Sequence, residues 1–250
     1  MSGHNRWTKI KHKKEAMGAT KGKLFNKIIK ELAVAARAGG GDPANNARLR
    51  LAMEAAKEAN MPSENIQRAV RRGTGELEGA HYEEIRYEGY GPGGVALIVE
   101  CLTDNRARTA ADVRTAFAKG GGHLGAEGAV SWMFHRKGTI AVEPGSTEDQ
   151  VMDKAIEAGA EDVIGHGNDG FEVRTDPAGL HAVGMALEKA GLKLGEQKWT
   201  YVPESTIKLD EDSARKVLRL VDLLEESDDV QHVHANFEID DALMERLAAG

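Results

Sequence analysis

The chain has 250 residues, 41% of them hydrophobic and 29% charged, which is the profile of folded domains and excludes a disordered or collagen-like chain. Its Lys-rich opening lacks the apolar stretch of a secretory signal, and no run approaches the ~18 apolar residues of a membrane span, so a cytoplasmic protein with no membrane partner is expected. The single cysteine, Cys101, has no partner for an internal disulfide and lies in the apolar run 95–102, where a reduced core thiol is expected.

The formal net charge of −7 hides a segregation. Residues 1–30 carry nine cations (Arg6, Lys9, Lys11, Lys13, Lys14, Lys21, Lys23, Lys27 and Lys30) against Glu15, a net of +8. Positions 31–250 then hold 24 basic and 39 acidic residues, a net of −15. Phosphate backbones attract such a cluster, while the acidic remainder resists sticking to the same polymer. Trp7 and His12, set among the cations, are groups able to stack on bases or sugars. Lysine outnumbers arginine in this arm, which favours backbone contact over base reading.

Residues 21–37 place Phe25, Ile28, Ile29, Leu32 and Ala36 on one side of a helical wheel and Lys23, Lys27, Lys30 and Arg37 on the other. One face is expected to pack and the other to stay cationic. Gly39, Gly40 and Gly41 stop this helix, Asp42-Pro43 reads as the start of a second running to about residue 60, and a third runs from 63 to 72 before Gly73. The third adds Arg68, Arg71 and Arg72 to the candidate nucleic-acid surface.

From residue 81 the hydrophobic period changes. Runs at 82–90 and 95–102 around Gly91-Pro92-Gly93-Gly94 read as a hairpin, followed by a helix capped at Thr109 and a strand at 129–134. Between 137 and 203 the order is β, α, β, β, α, β, that of a ferredoxin-like sandwich. A helix at 210–226 and a strand at 230–239 are too little for a domain and complete the earlier piece. The expected fold is a multidomain α+β chain: a basic helical domain (1–80), a discontinuous α+β domain (81–135 and 204–250) and an inserted ferredoxin-like domain (136–203).

Gly89, Gly91 and Gly94 satisfy G-x-G-x-x-G, but a strand and not a helix follows, so a hairpin turn is the better reading. No Walker-type phosphate loop occurs. Of nine histidines, His232 and His234 share a strand face and His4 and His12 flank the arm, which is no metal-ligand pattern, so no metal and no cofactor are expected. No G-x-S-x-G elbow marks a nucleophile. Asp104, Asn105, Arg106 and Arg108 lie at a helix start, where arginines oppose the dipole. Capping with surface arginines stands there beside a second contact site built on Arg106 and Arg108.

Five segments carry a resemblance: GHNRWTKIKHKK from Gly3, GKLFNKIIKELAVAAR from Gly22, NMPSENIQRAVRRGTG from Asn60, YEEIRYEGYGPGGVALIVECLTDNRARTAADVR from Tyr82 and GAVSWMF from Gly128. Together they resemble the YebC/PmpR family over nearly the whole chain, with small departures at Asn5, Arg6 and His123. The resemblance implies a helical domain followed by two α+β domains, and a probable transcriptional regulator that binds DNA. Relatives that activate mitochondrial translation or act on the ribosome imply a rival, a translation factor on ribosomal or transfer RNA. The expectation is therefore a monomeric, non-enzymatic nucleic-acid binder. An enzyme using a pocket between the α+β domains, with a histidine or Cys101 as its chemistry, is the remote alternative.

Overall fold

Alanine sets how closely the first helices meet. In the computed structural model, which describes residues 19–249, α1 (Ala19–Gly39), α2 (Ala47–Glu58) and α3 (Ser63–Gly73) enclose a core of small and branched side chains. Ile28, Leu32, Ala35 and Ala36 of α1 meet Leu49, Ala52 and Ala56 of α2 and Ile66 and Ala69 of α3. A Cβ at Gly73 would collide with the Ala33 carbonyl oxygen and stand 2.7 Å from the Ala36 Cβ, so only glycine lets α3 lie directly on α1. Asp42-Pro43 forms a turn instead of opening α2. The cap is Asn46, whose Oδ1 accepts from the Leu49 N–H (3.0 Å) while its Nδ2 donates to the Ala35 (2.8 Å) and Gly40 (2.9 Å) carbonyls. One buried amide thus closes two helix ends.

The next strands, β1 (Glu83–Tyr90) and β2 (Ala96–Thr103), form the hairpin, with Gly89 opposite Leu97 and Ile85 opposite Cys101. Gly93 and Gly94 turn the chain at φ of 71° and 75°, a region that favours glycine. Helix α4 (Arg106–Lys119) follows, then β3 (His123–Leu124) beside β1. Residues 131–133 are a single 3-10 turn, not the strand expected at 129–134, because their backbone is drawn onto the Glu88 carboxylate.

The chain then builds β4 (Phe134–Val142), α5 (Glu148–Glu157), β5 (Asp162–Gly165), β6 (Phe171–Thr175), α6 (Leu180–Lys189) and β7 (Leu194–Pro203). Strand order β5-β6-β4-β7 in this βαββαβ unit is that of a ferredoxin-like sandwich. Val151 and Ala155 of α5 and Leu180, Val183 and Leu187 of α6 are buried, as are Ile140, Val142 and Val173 of the sheet. Residues 134–202 form one compact unit, and the described residues on either side of them form the other.

After β7 come β8 (Ile207–Lys208), α7 (Glu211–Glu225), β9 (Val230–Ala235), β10 (Phe237–Glu238) and α8 (Asp241–Ala249). Strand β9 joins the edge of the hairpin sheet to give the order β3-β1-β2-β9, and β10 pairs in parallel with β8. Both α+β layers are antiparallel sheets backed by helices, with different connections. Val95, Leu97, Val99 and Cys101 face Val113 and Phe117 of α4 and Val217, Leu220, Val221 and Leu224 of α7. The strand expected to run through 239 breaks at Asn236, whose Oδ1 accepts from the Ala96 N–H at 2.7 Å. Among the described residues no helix is long and apolar enough to cross a membrane.

Candidate nucleic-acid interface

Helix α7 ends in a run of acid. Its last turn holds no basic residue, and Glu225, Glu226, Asp228 and Asp229 crowd an end whose open carbonyls already carry partial negative charge. The cations come from α1, about two hundred positions earlier in the chain. Lys23 Nζ donates to the Glu226 carbonyl (3.2 Å), Lys27 Nζ to the Glu225 carbonyl (3.2 Å) and Lys30 Nζ to the Asp228 carbonyl (2.8 Å). The stripe expected to stay open to solvent therefore docks the helical domain on the α+β domain. Val34 continues it as a buried position, and Arg37 Nη1 donates to the Tyr82 carbonyl at 3.4 Å.

Asp229 is the centre of this contact. Its buried Oδ1 takes Lys30 Nζ at 2.6 Å, and its Oδ2 takes Arg108 Nη2 (2.7 Å), the Thr109 hydroxyl (2.8 Å) and the Thr103 hydroxyl (3.3 Å). Burial pushes the carboxyl up, but the donors Lys30, Arg108 and Thr109 outweigh it and hold Asp229 below the usual carboxylate range. Arg108, which also reaches Asp104 at 2.8 Å, thus has a structural reason to stand at a helix start. The cap of α4 is Asn105, whose Oδ1 accepts from the Arg108 N–H at 3.0 Å, and Thr109, the expected cap, serves Asp229. A second tie runs through Arg48, which grips Glu31 of α1 (2.6 and 3.0 Å) and Glu84 of β1 (2.6 Å).

The remaining candidate cations among the described residues face outward. Arg68, Arg71 and Arg72 line the exposed side of α3, opposite buried Ile66, Ala69 and Gly73. Arg68 pairs with Glu64 (2.6 Å) and Arg71 with Glu76 (3.5 Å), exposed contacts of the kind a phosphate readily replaces. Lys21 is exposed, its Nζ 5.5 Å from the Phe25 ring centroid, and Arg106 is exposed with Glu83 at 3.4 Å. Arg6, Trp7, Lys9, Lys11, His12, Lys13 and Lys14 lie outside the described residues. Among the described candidates the structure thus separates the docking residues Lys23, Lys27, Lys30 and Arg108 from the outward-facing Lys21, Arg106 and α3 arginines.

Cys101 and His234, singled out for catalytic chemistry, lie on the neighbouring strands β2 and β9. Cys101 is buried, and burial, with Asp229 and Glu100 adding, pushes its thiol up to about 12, so it stays protonated near neutrality. His234 Nε2 lies 2.8 Å from Glu100 Oε2, with the His232 ring 6.1 Å away. Among the described residues no group of three His, Cys, Asp or Glu side chains is placed to hold a metal ion.

A helical domain clamped through lysines to one of two α+β sandwiches defines a class of multidomain protein. The chain belongs to the TACO1/YebC family: residues 5–76 match the TACO1/YebC protein N-terminal domain and residues 82–237 the TACO1/YebC second and third domain. It is 61% identical over 247 residues to a probable transcriptional regulatory protein of Myxococcus xanthus, covering 99% of both chains. A protein of the same name from Acidithiobacillus ferrooxidans is 53% identical over 249 residues, 100% of this chain and 99% of that one. The crystal structure of a conserved hypothetical protein from Aquifex aeolicus superposes with a TM-score of 0.82 at 51% identity, over 89% of this chain and 92% of that one.

Proposed function

We propose that this protein is a non-enzymatic, nucleic-acid-binding regulator of gene expression that holds DNA through its basic N-terminal region. The observation that carries this reading is the charge segregation, +8 in residues 1–30 against −15 in the remainder. The geometry refines how the charge is used. Lys23, Lys27 and Lys30 fix the helical domain in place. Arg6, Lys9, Lys11, Lys13 and Lys14 of the arm, with Arg68, Arg71 and Arg72 of α3, then neutralise phosphates, and Trp7 and His12 stack. The relatives' name, probable transcriptional regulatory protein, supports the same reading.

A second reading is a translation factor on ribosomal or transfer RNA, favoured by the dominance of lysine over arginine in the arm. Selective retention on promoter fragments over random duplex supports the regulator. Co-sedimentation with ribosomes, lost when Lys9, Lys11, Lys13 and Lys14 become Glu, supports the translation factor.

A further inference from the structure

Trp132 is 66% exposed, the most exposed large hydrophobic side chain among the described residues. Its indole is not loose. The Trp132 Nε1–H and the Tyr90 hydroxyl both donate to the Ala129 carbonyl oxygen, each at 3.1 Å, so two ring edges converge on one acceptor. The Tyr90 ring in turn stacks on the exposed His123 ring, 5.6 Å between centroids and 30° between planes. The loop carrying Trp132 is strapped to β1: the Gly125 N–H donates to the Glu88 carbonyl (2.8 Å), and the Val130 (2.8 Å) and Ser131 (2.9 Å) N–H groups donate to the buried Glu88 Oε2.

We propose that Tyr90, His123 and Trp132 form a stacking platform for unpaired nucleic-acid bases on the α+β domain. This rests on the nucleic-acid reading above and adds a ligand class to it. The polar edges of Trp132 and Tyr90 are already satisfied within the protein, so what the site offers is ring faces. Ring faces recognise any base by stacking, and only a base outside a duplex presents a free face. The surroundings suit a flat ligand: Gly125 and Gly128 are exposed, and nothing stands within 4 Å of the place a Gly128 side chain would take. A protein partner fits less well. A standard protein interface covers about 800 Å² per side around an apolar core, whereas in residues 123–132 Trp132 is the one exposed large hydrophobic side chain and the other exposed positions are His123, Gly125, Ala126, Glu127 and Gly128.

The test uses the full chain and measures affinity for a labelled unpaired oligouridylate and for a duplex of equal length, comparing wild type with Trp132→Ala, Trp132→Phe and His123→Ala. Because both altered side chains are exposed, the variants keep their circular dichroism. The platform predicts that Trp132→Ala weakens unpaired binding about 10-fold or more, that Trp132→Phe keeps most of it, and that duplex binding and the salt dependence of both stay unchanged. Wild-type affinity of Trp132→Ala for the unpaired strand overturns the platform while leaving duplex binding in place. Failure of the wild type to hold either nucleic acid overturns the underlying functional reading itself. Loss of a co-purifying protein from Trp132→Ala, with nucleic-acid affinity intact, overturns the platform in favour of a protein dock.

Discussion

Lys30 of α1 and Asp229, just past the end of α7, meet at 2.6 Å although 199 positions separate them in the chain. The pair is largely sheltered from solvent, and Asp229 also holds Arg108, so one carboxylate joins the helical domain, the start of α4 and the end of α7. Removing the shared acceptor leaves the sheltered Lys30 facing a buried hole and takes one of two carboxylate partners from the half-exposed Arg108. Asp229→Ala is expected to cost about 3–5 kcal/mol of stability. Lys30→Met, which leaves Asp229 its arginine, should cost about 2 kcal/mol. Urea unfolding of both variants and the double variant checks this, and additive losses would show that the two side chains do not interact.

Acid should loosen the same contact. Asp229 and Glu88 both titrate below the usual carboxylate range near pH 4. For Glu88, burial raises the value, but the N–H groups of Val130, Ser131 and Gly128, with Arg86, outweigh it. A group depressed in the folded state contributes stability that is fully present above its unfolded value and is lost as pH falls through the folded one. Stability should therefore be level with respect to these two groups from pH 7 to about 5 and fall below about pH 4. Urea midpoints against pH check it, and Asp229→Asn should show a shallower acid loss than wild type from an already lower plateau.

Gly73→Ala should destabilise the helical domain by about 2 kcal/mol through overpacking against Ala33 and Ala36. Thermal unfolding measures it. An unchanged midpoint would mean that α3 and α1 can move apart at no cost.

Cys101 should resist alkylation in the folded protein at pH 8, since its thiol is held up to about 12. Mass spectrometry after iodoacetamide treatment should find modification only once denaturant is added.

Much of this fold can be read along the chain, because it is written in local pattern. The hairpin Glu83–Tyr90 and Ala96–Thr103 follows from β-type runs around four turn residues, and the βαββαβ order of 134–202 follows from alternating periods. What local pattern hides is competition for a partner. Asp42 and Asn46 are both good caps, and Asn46 wins because its amide also reaches Ala35 and Gly40. Residues 129–134 have strand composition, but Glu88 draws the N–H groups of Val130 and Ser131 away from any ladder. On a helical wheel Lys23, Lys27 and Lys30 look like a solvent face, since their acceptors are backbone carbonyls two hundred residues away. The one trace of that contact in the sequence is the end of α7, acidic where a helix favours cations.

Charge substitutions should separate docking from binding. Lys23→Gln, Lys27→Gln and Lys30→Gln together should lower the unfolding midpoint and leave the salt dependence of nucleic-acid affinity nearly unchanged. Arg68→Ala, Arg71→Ala and Arg72→Ala should do the reverse, each reducing the slope by about 1. The opposite assignment of effects would return the lysines to the binding surface.

The most direct measurement is the affinity of the full chain for duplex DNA, and for structured RNA, across a salt series. With about six phosphates neutralised by the arm and α3, the logarithm of affinity should fall against the logarithm of salt with a slope of roughly −4 to −5. Substituting Lys9, Lys11, Lys13 and Lys14 by Glu should abolish binding. A slope near zero, or wild-type affinity in that variant, would contradict the account.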